Sequence, residues 1–173
     1  MTPLRKFCVP ALSALLLTAA DQWSKIWAVR NLPLFDPREL VPGFLGLIHV
    51  RNTGVAFSLL SSLDPRWVHP MLILATLLAM AAVVAYIWFL PGKGVAPFGL
   101  GLILGGAIGN LIDRARLGYV VDFIDLHWRA YHWPTFNVAD IGITVGVVLL
   151  AADMLICSKE HGDASRPAAG RKP

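Results

Sequence analysis

Asp122 and Asp140 are the two side chains of this sequence best suited to acid–base chemistry. Asp122 lies in GYVVDFIDLHW. If that run is extended, alternation puts Asp122 on one face with Ile124 and Leu126, and Asp125 on the other with His127. A carboxylate on an apolar face is hard to read as solvated, whereas Asp125 reads as a surface acid. Asp140 lies in FNVADIG. With Asn137 as N-cap, Asp140 falls at the third helical position, where unpaired N–H groups and the helix dipole favour a carboxylate. On local grounds it is equally a capping acid. Two carboxylates held close in a low dielectric cannot both ionise cheaply, so they share a proton. One can then take a proton from water while its protonated partner polarises a carbonyl. That is peptide hydrolysis with no metal, no cofactor and no covalent intermediate.

Other polar residues accompany this pair. Asp21 and Lys25 are four apart, hence on one helical face with the acid first. They read as a self-neutralising pair that supports a site rather than reacts. Asn110, Asp113 and Arg114 in GGAIGNLIDR form one polar face at a helix end. That face could serve interhelical hydrogen bonding, or Arg114 could hold a phosphate or carboxylate. Competing chemistries lack parts. HExxH, GxSxG, P-loop and GxGxxG patterns do not occur, and the five histidines (49, 69, 127, 132 and 161) are too scattered in sequence for a zinc site. Cys8 and Cys157 stand at the edges of apolar runs and read as small apolar residues rather than a disulfide.

The elements that position these residues must lie in lipid. The chain is 56% hydrophobic and 15% charged over 173 residues, against about 25% charged in soluble domains. So small a globule has too little interior to bury that excess. Four runs approach the roughly 20 residues a bilayer requires, at about 8–29, 69–90, 95–114 and 138–157. The first also resembles a signal peptide as far as Ala20, but Trp23, Ile26, Trp27 and Val29 continue the apolar pattern beyond any cut. Pro91-Gly92-Lys93-Gly94 makes the second and third runs a helical hairpin. Gly101, Gly105 and Gly109 form a ladder suited to close helix packing in lipid. The tail from 159 to 173 is polar and expected to be disordered. Basic residues are dispersed, which gives no support for nucleic acid as a partner and fits membrane lipid headgroups instead.

Four spans place both termini on one side, with two longer loops, roughly Arg30 to Trp67 and Ala115 to Phe136, on the other. Asp21, Lys25, Asn110, Asp113, Arg114, Asp122, Asn137 and Asp140 then all converge at the loop side. Lys and Arg number seven on the terminal side and eight on the loop side, so charge leaves the orientation open. Trp67, Trp128 and Trp133 read as interface anchors. Asp153, near the opposite face, has no account at this level.

At these residues the sequence resembles lipoprotein signal peptidase, or signal peptidase II. DQWSK at 21–25, VRNTGVAFS at 50–58, GGAIGNLIDR at 105–114, VVDFIDLHW at 120–128 and FNVADIGITVG at 136–146 occur in order. Each alone is weak; five in series are specific. The resemblance implies an all-α membrane protein of four transmembrane helices, with a small extracytoplasmic β-rich platform between the first two, including His49 to Phe57. NTG at 52–54 reads independently as a turn. The resemblance maps the catalytic aspartates onto Asp122 and Asp140. It maps further functional positions onto Asp21, Lys25, Asn52, Gly54, Asn110, Asp113, Arg114 and Asn137. It implies a bacterial inner-membrane aspartyl endopeptidase with both termini cytoplasmic and its site near the extracytoplasmic face. The implied substrate is a diacylglyceryl-prolipoprotein cut before its lipidated cysteine, and the implied inhibitors are globomycin-type peptides. The competing readings are a non-catalytic membrane scaffold, in which both aspartates would be dispensable, and a small proton-coupled transporter. An uncharged second run and a third uncharged over most of its length argue against a transport path.

Overall fold

The structure is a computed structural model that describes residues 3–54, 65–89, 95–129 and 131–164. Four long helices, α1 (Pro3–Asn31), α2 (Pro65–Phe89), α3 (Ala96–Leu117) and α4 (Val138–Ala164), carry a four-stranded sheet. Among the described residues three helices, Arg66–Phe89, Ala96–Leu117 and Val138–Ile156, are long and apolar enough to cross a membrane. α1 has the length, 29 residues, but its last third carries Asp21, Lys25 and Arg30. It runs unbroken past Ala20, and α4 continues to Ala164, beyond the expected end at 157. The proposed turn at 91–94 lies outside the described residues.

α3 is the central helix. Its Gly101, Gly105 and Gly109 face α1, and a Cβ on Gly105 would come within 2.6 Å of the Ala14 carbonyl oxygen. Only a residue without a side chain permits backbones this close. Thr18 Oγ1 donates across the same seam to the Gly105 carbonyl at 3.0 Å. The opposite edge of α3 meets α4 through Gly99, Gly106 and Gly146. Asp153 finds its role here. Its carboxylate, on α4, accepts the Val95 N–H at 2.9 Å and so caps the start of α3. The outward faces of the helices expose Leu15, Leu16, Trp23, Leu78, Val148 and Leu155, a surface that needs an apolar solvent.

The sheet is antiparallel, in the order β1 (Arg38–Val41), β2 (Leu45–Asn52), β3 (Val120–Trp128), β4 (Tyr131–His132). The expected platform is therefore built from both long loops, not from the first alone. Its 55–57 portion lies outside the described residues. β2 pairs with β3 through Leu45↔Leu126, Val50↔Asp122 and Asn52↔Val120. Ala28 and Leu32 of α1 pack against Phe123, with Leu47, Ile124 and Val138 around them. This apolar knot fixes the sheet to the end of the bundle that bears the polar residues. Trp67 sits in the first turn of α2, at the edge of the loop.

Candidate active site

Two local devices bring Asp122 beside the start of α4. α3 ends at Gly118, whose φ of 81° and N–H bond to the Arg114 carbonyl form a left-handed cap. The chain then turns back as β3, with Asp122 as the strand's third residue and only 2% exposed. After β4 the chain stays beside β3. Trp133 N–H donates to the Leu126 carbonyl at 2.8 Å, and Phe136 exchanges bonds with Ile124 at 2.9 and 3.1 Å. This path delivers Asn137 to the N-cap of α4. Asn137 and Asp140 cap reciprocally, as the sequence spacing predicts. The Asp140 N–H donates to Asn137 Oδ1 at 3.1 Å, and the Asn137 N–H to Asp140 Oδ2 at 3.2 Å.

Amide donors hold both carboxylates. Asp122 accepts from Asn137 Nδ2 at 2.6 Å and from Asn52 Nδ2 at 2.8 Å. Asp140 also accepts from Asn110 Nδ2 at 2.9 Å. Asn52 is itself fixed, because its Oδ1 accepts the N–H of Gly54 at 2.8 Å. Gly54, at φ 99°, closes the turn that NTG predicts. Asn137 therefore touches Asp122 and Asp140 at once, and Asn110 ties the pair to the bundle by accepting from Asn137 Nδ2 at 3.2 Å.

Beneath the pair lies a buried charge cluster. Lys25 Nζ meets Asp21 Oδ2 and Asp113 Oδ2 at 2.9 Å each and donates to Asn110 Oδ1 at 2.8 Å. All three ammonium protons are thereby used. Asp21, fully buried, accepts the Ala139 N–H of α4 at 2.9 Å. Asp113 accepts the Val121 N–H of β3 at 3.1 Å. Thus each acid of the cluster holds the backbone next to one residue of the pair. Gln22, which sequence reasoning passes over, bridges Asp21, the Gly109 carbonyl and Asp113 at 3.2, 3.1 and 3.0 Å. Its only sequence signal was adjacency to Asp21 inside DQWSK.

A cleft of about 580 Å³ opens over the pair, lined by Asn52, Arg114, Asp122, Trp133, Phe136 and Asp140. A more apolar cavity of about 410 Å³ adjoins it, sharing Trp133, Phe136 and Asp140 and adding Leu126, Ile141 and Val145. Arg114 brings a guanidinium to the cleft, with its Nε buried and unpartnered among the described residues. Burial pushes the Asp122 carboxyl up to about 6. The neighbouring Asp140 adds to the rise, while the hydrogen bonds from Asn52 and Asn137 oppose it. All ten residues singled out by sequence converge at this end of the bundle. Asp125 departs from its expected surface role: it is 6% exposed and held between two histidines.

Residues 13–156 match the family model described as signal peptidase (SPase) II. The chain belongs to the signal peptidase II family. A lipoprotein signal peptidase of Geobacter metallireducens is 48% identical over 136 residues, spanning 78% of this chain and 83% of that one. One of Oleidesulfovibrio alaskensis is 45% identical over 141 residues, spanning 82% and 90%. A solved structure described as a bacterial membrane enzyme, obtained by the in meso method at 2.3 Å resolution, superposes with a TM-score of 0.74 at 28% identity. It covers 95% of this chain and 94% of that one. A second, at 1.9 Å resolution, gives 0.74 at 30% identity.

Proposed function

We propose that this chain is an aspartyl endopeptidase of the inner membrane that removes the signal peptide of diacylglyceryl-modified prolipoproteins, cutting before the lipidated cysteine. The observation that carries this reading is the Asn137 bridge. One buried residue contacts both carboxylates, donating to Asp122 from its side-chain amide and to Asp140 from its backbone N–H, beneath the cleft that Asp122 and Asp140 line. Asp140, less buried and opening to the cleft, takes a proton from the attacking water. Asp122 holds the proton that its raised pKa favours and gives it to the scissile carbonyl oxygen. The resulting diol collapses as the carbon–nitrogen bond breaks, and a proton passes to the departing amine. Each of the four carboxylate oxygens accepts one N–H donor already in place, three from side-chain amides and one from the Asn137 backbone, a setting for sharing a proton rather than for gripping a divalent ion.

Arg114 serves substrate carbonyls or headgroup oxygens, since its guanidinium reaches the cleft. Asn52 is a positioning residue, because its amide is engaged by Asp122 and Gly54. The adjoining apolar cavity along α4 suits an acyl chain that reaches the site laterally from lipid. In this reading α1 is a fourth span, both termini are cytoplasmic and the sheet lies on the extracytoplasmic face. Globomycin-type peptides would occupy the same cleft. The test uses purified protein in detergent with EDTA and a prolipoprotein with or without diacylglycerol on its cysteine. Cleavage of the lipidated form alone, unaffected by chelator, is expected. Equal cleavage of both forms would remove the lipid from the account, and loss of cleavage in EDTA would remove the metal-free mechanism.

A further inference from the structure

A second cluster of chemistry-bearing side chains occupies the far end of β3, away from the carboxylate pair. Asp125 and His127 are two apart on β3, hence on one face. His132 of β4 lies directly opposite His127 in the antiparallel register. The two imidazole rings stack at 4.9 Å. Asp125 Oδ1 lies 3.0 Å from His132 Nδ1, and Asp125 Oδ2 lies 3.2 Å from His127 Nδ1. Asp125 pairs with Gly46 of β2, and Gly46 with Glu39 of β1. Because Gly46 has no side chain, Glu39 can reach across this row. Its carboxylate comes within 3.7 Å of His127 Nε2.

We propose that Asp125, His127 and His132 form a binding site for a zinc-class divalent ion on the sheet. One ligand atom from each lies within 4.8 Å of the others. Tetrahedral zinc with bonds of about 2.0–2.1 Å needs ligand atoms about 3.3 Å apart, so small side-chain rotations close the site. Two imidazoles and a carboxylate are a donor set that zinc favours. His127 is 8% exposed, and its Nδ1 is buried without a hydrogen-bond partner despite facing Asp125. An unpartnered buried nitrogen beside a carboxylate is available to a ligand placed between them. Its other nitrogen lies 3.7 Å from the Glu39 carboxylate, an acid that a small side-chain rotation brings into place to orient a metal-bound imidazole. The exposed side of His132 and a water complete the coordination. The role assigned is structural and separate from turnover: the ion would clamp β4 onto β3 and stabilise this end of the sheet, so that removing it lowers the melting temperature and leaves cleavage of the folded enzyme in place.

The test is zinc titration of the full-length enzyme, purified without a histidine tag and stripped of metal, in competition with a chromophoric chelator. Uptake of one zinc per chain is expected, with a rise in thermal midpoint of roughly 5 °C. His132→Ala, which changes a largely exposed side chain, should weaken binding at least tenfold, and Glu39→Gln by roughly tenfold. Asp122→Asn should bind zinc as the wild type does. Uptake unchanged in His132→Ala, or lost in Asp122→Asn, would overturn the proposal, as would failure of the wild type to compete with the chelator.

Discussion

Lys25 shows how much at this site is decided by single side chains. Its ammonium is buried among Asp21, Asp113 and Asn110. Lys25→Met would leave two buried carboxylates without their cation. Removing one partner of a buried pair costs about 3–5 kcal/mol. The variant should therefore unfold at markedly lower temperature in detergent, and its cleavage should fall with it. Asn52 gives a subtler prediction. It donates to the charged form of Asp122, so it lowers a pKa that burial otherwise raises to about 6. Asn52→Ala removes that donor and favours the protonated form. The limb of the pH–rate profile that belongs to Asp122 should move to higher pH, readable in kcat/KM between pH 5 and 8. A limb that moves to lower pH, or stays in place, would show that another group sets it.

The helices matter to this site through their closeness. A Cβ on Gly109 would strike Asp21 Oδ2, and one on Gly105 would strike Ala14 backbone. Overpacking of this kind typically costs about 1–3 kcal/mol. Gly105→Ala should lower the thermal midpoint in detergent. Gly109→Ala should also slow cleavage at temperatures where it remains folded, because Asp21 holds the Ala139 N–H beside Asp140. Much at this scale was legible in the sequence. The small-residue ladder, the Asn137–Asp140 cap and the NTG turn each follow from local chemistry at fixed spacing. Charged residues in lipid-length apolar runs also announce themselves, because their burial has to be compensated. What was not legible depended on residues distant in sequence. β2 and β3 are about seventy positions apart, so no local pattern shows that the two loops share one sheet. Asp125 looked like a surface acid because His132 reaches it only through the β3–β4 hairpin. Asp153 looked idle because its partner is the Val95 N–H on another helix, and backbone donors leave no trace in composition.

The whole molecule is a polar, carboxylate-bearing end set on an apolar helical stalk. Its exposed leucines, valines and tryptophans ask for lipid on all sides of the helices, and the sheet extends from one end of the bundle. If α1 is a span and the sheet is extracytoplasmic, a cysteine at Leu40, an exposed position on β1, should react from outside intact cells with an impermeant maleimide, once Cys8 and Cys157 are replaced. Labelling only after lysis would invert the proposed orientation. The most direct test of the account is the turnover of a lipidated prolipoprotein by Asp122→Asn and Asp140→Asn, each shown to melt cooperatively in detergent. Each substitution alone should lower the rate at least a thousandfold (on the order of the general acid–base contribution) while the fold persists. A folded Asp122→Asn or Asp140→Asn variant that cleaves at close to the wild-type rate would contradict it.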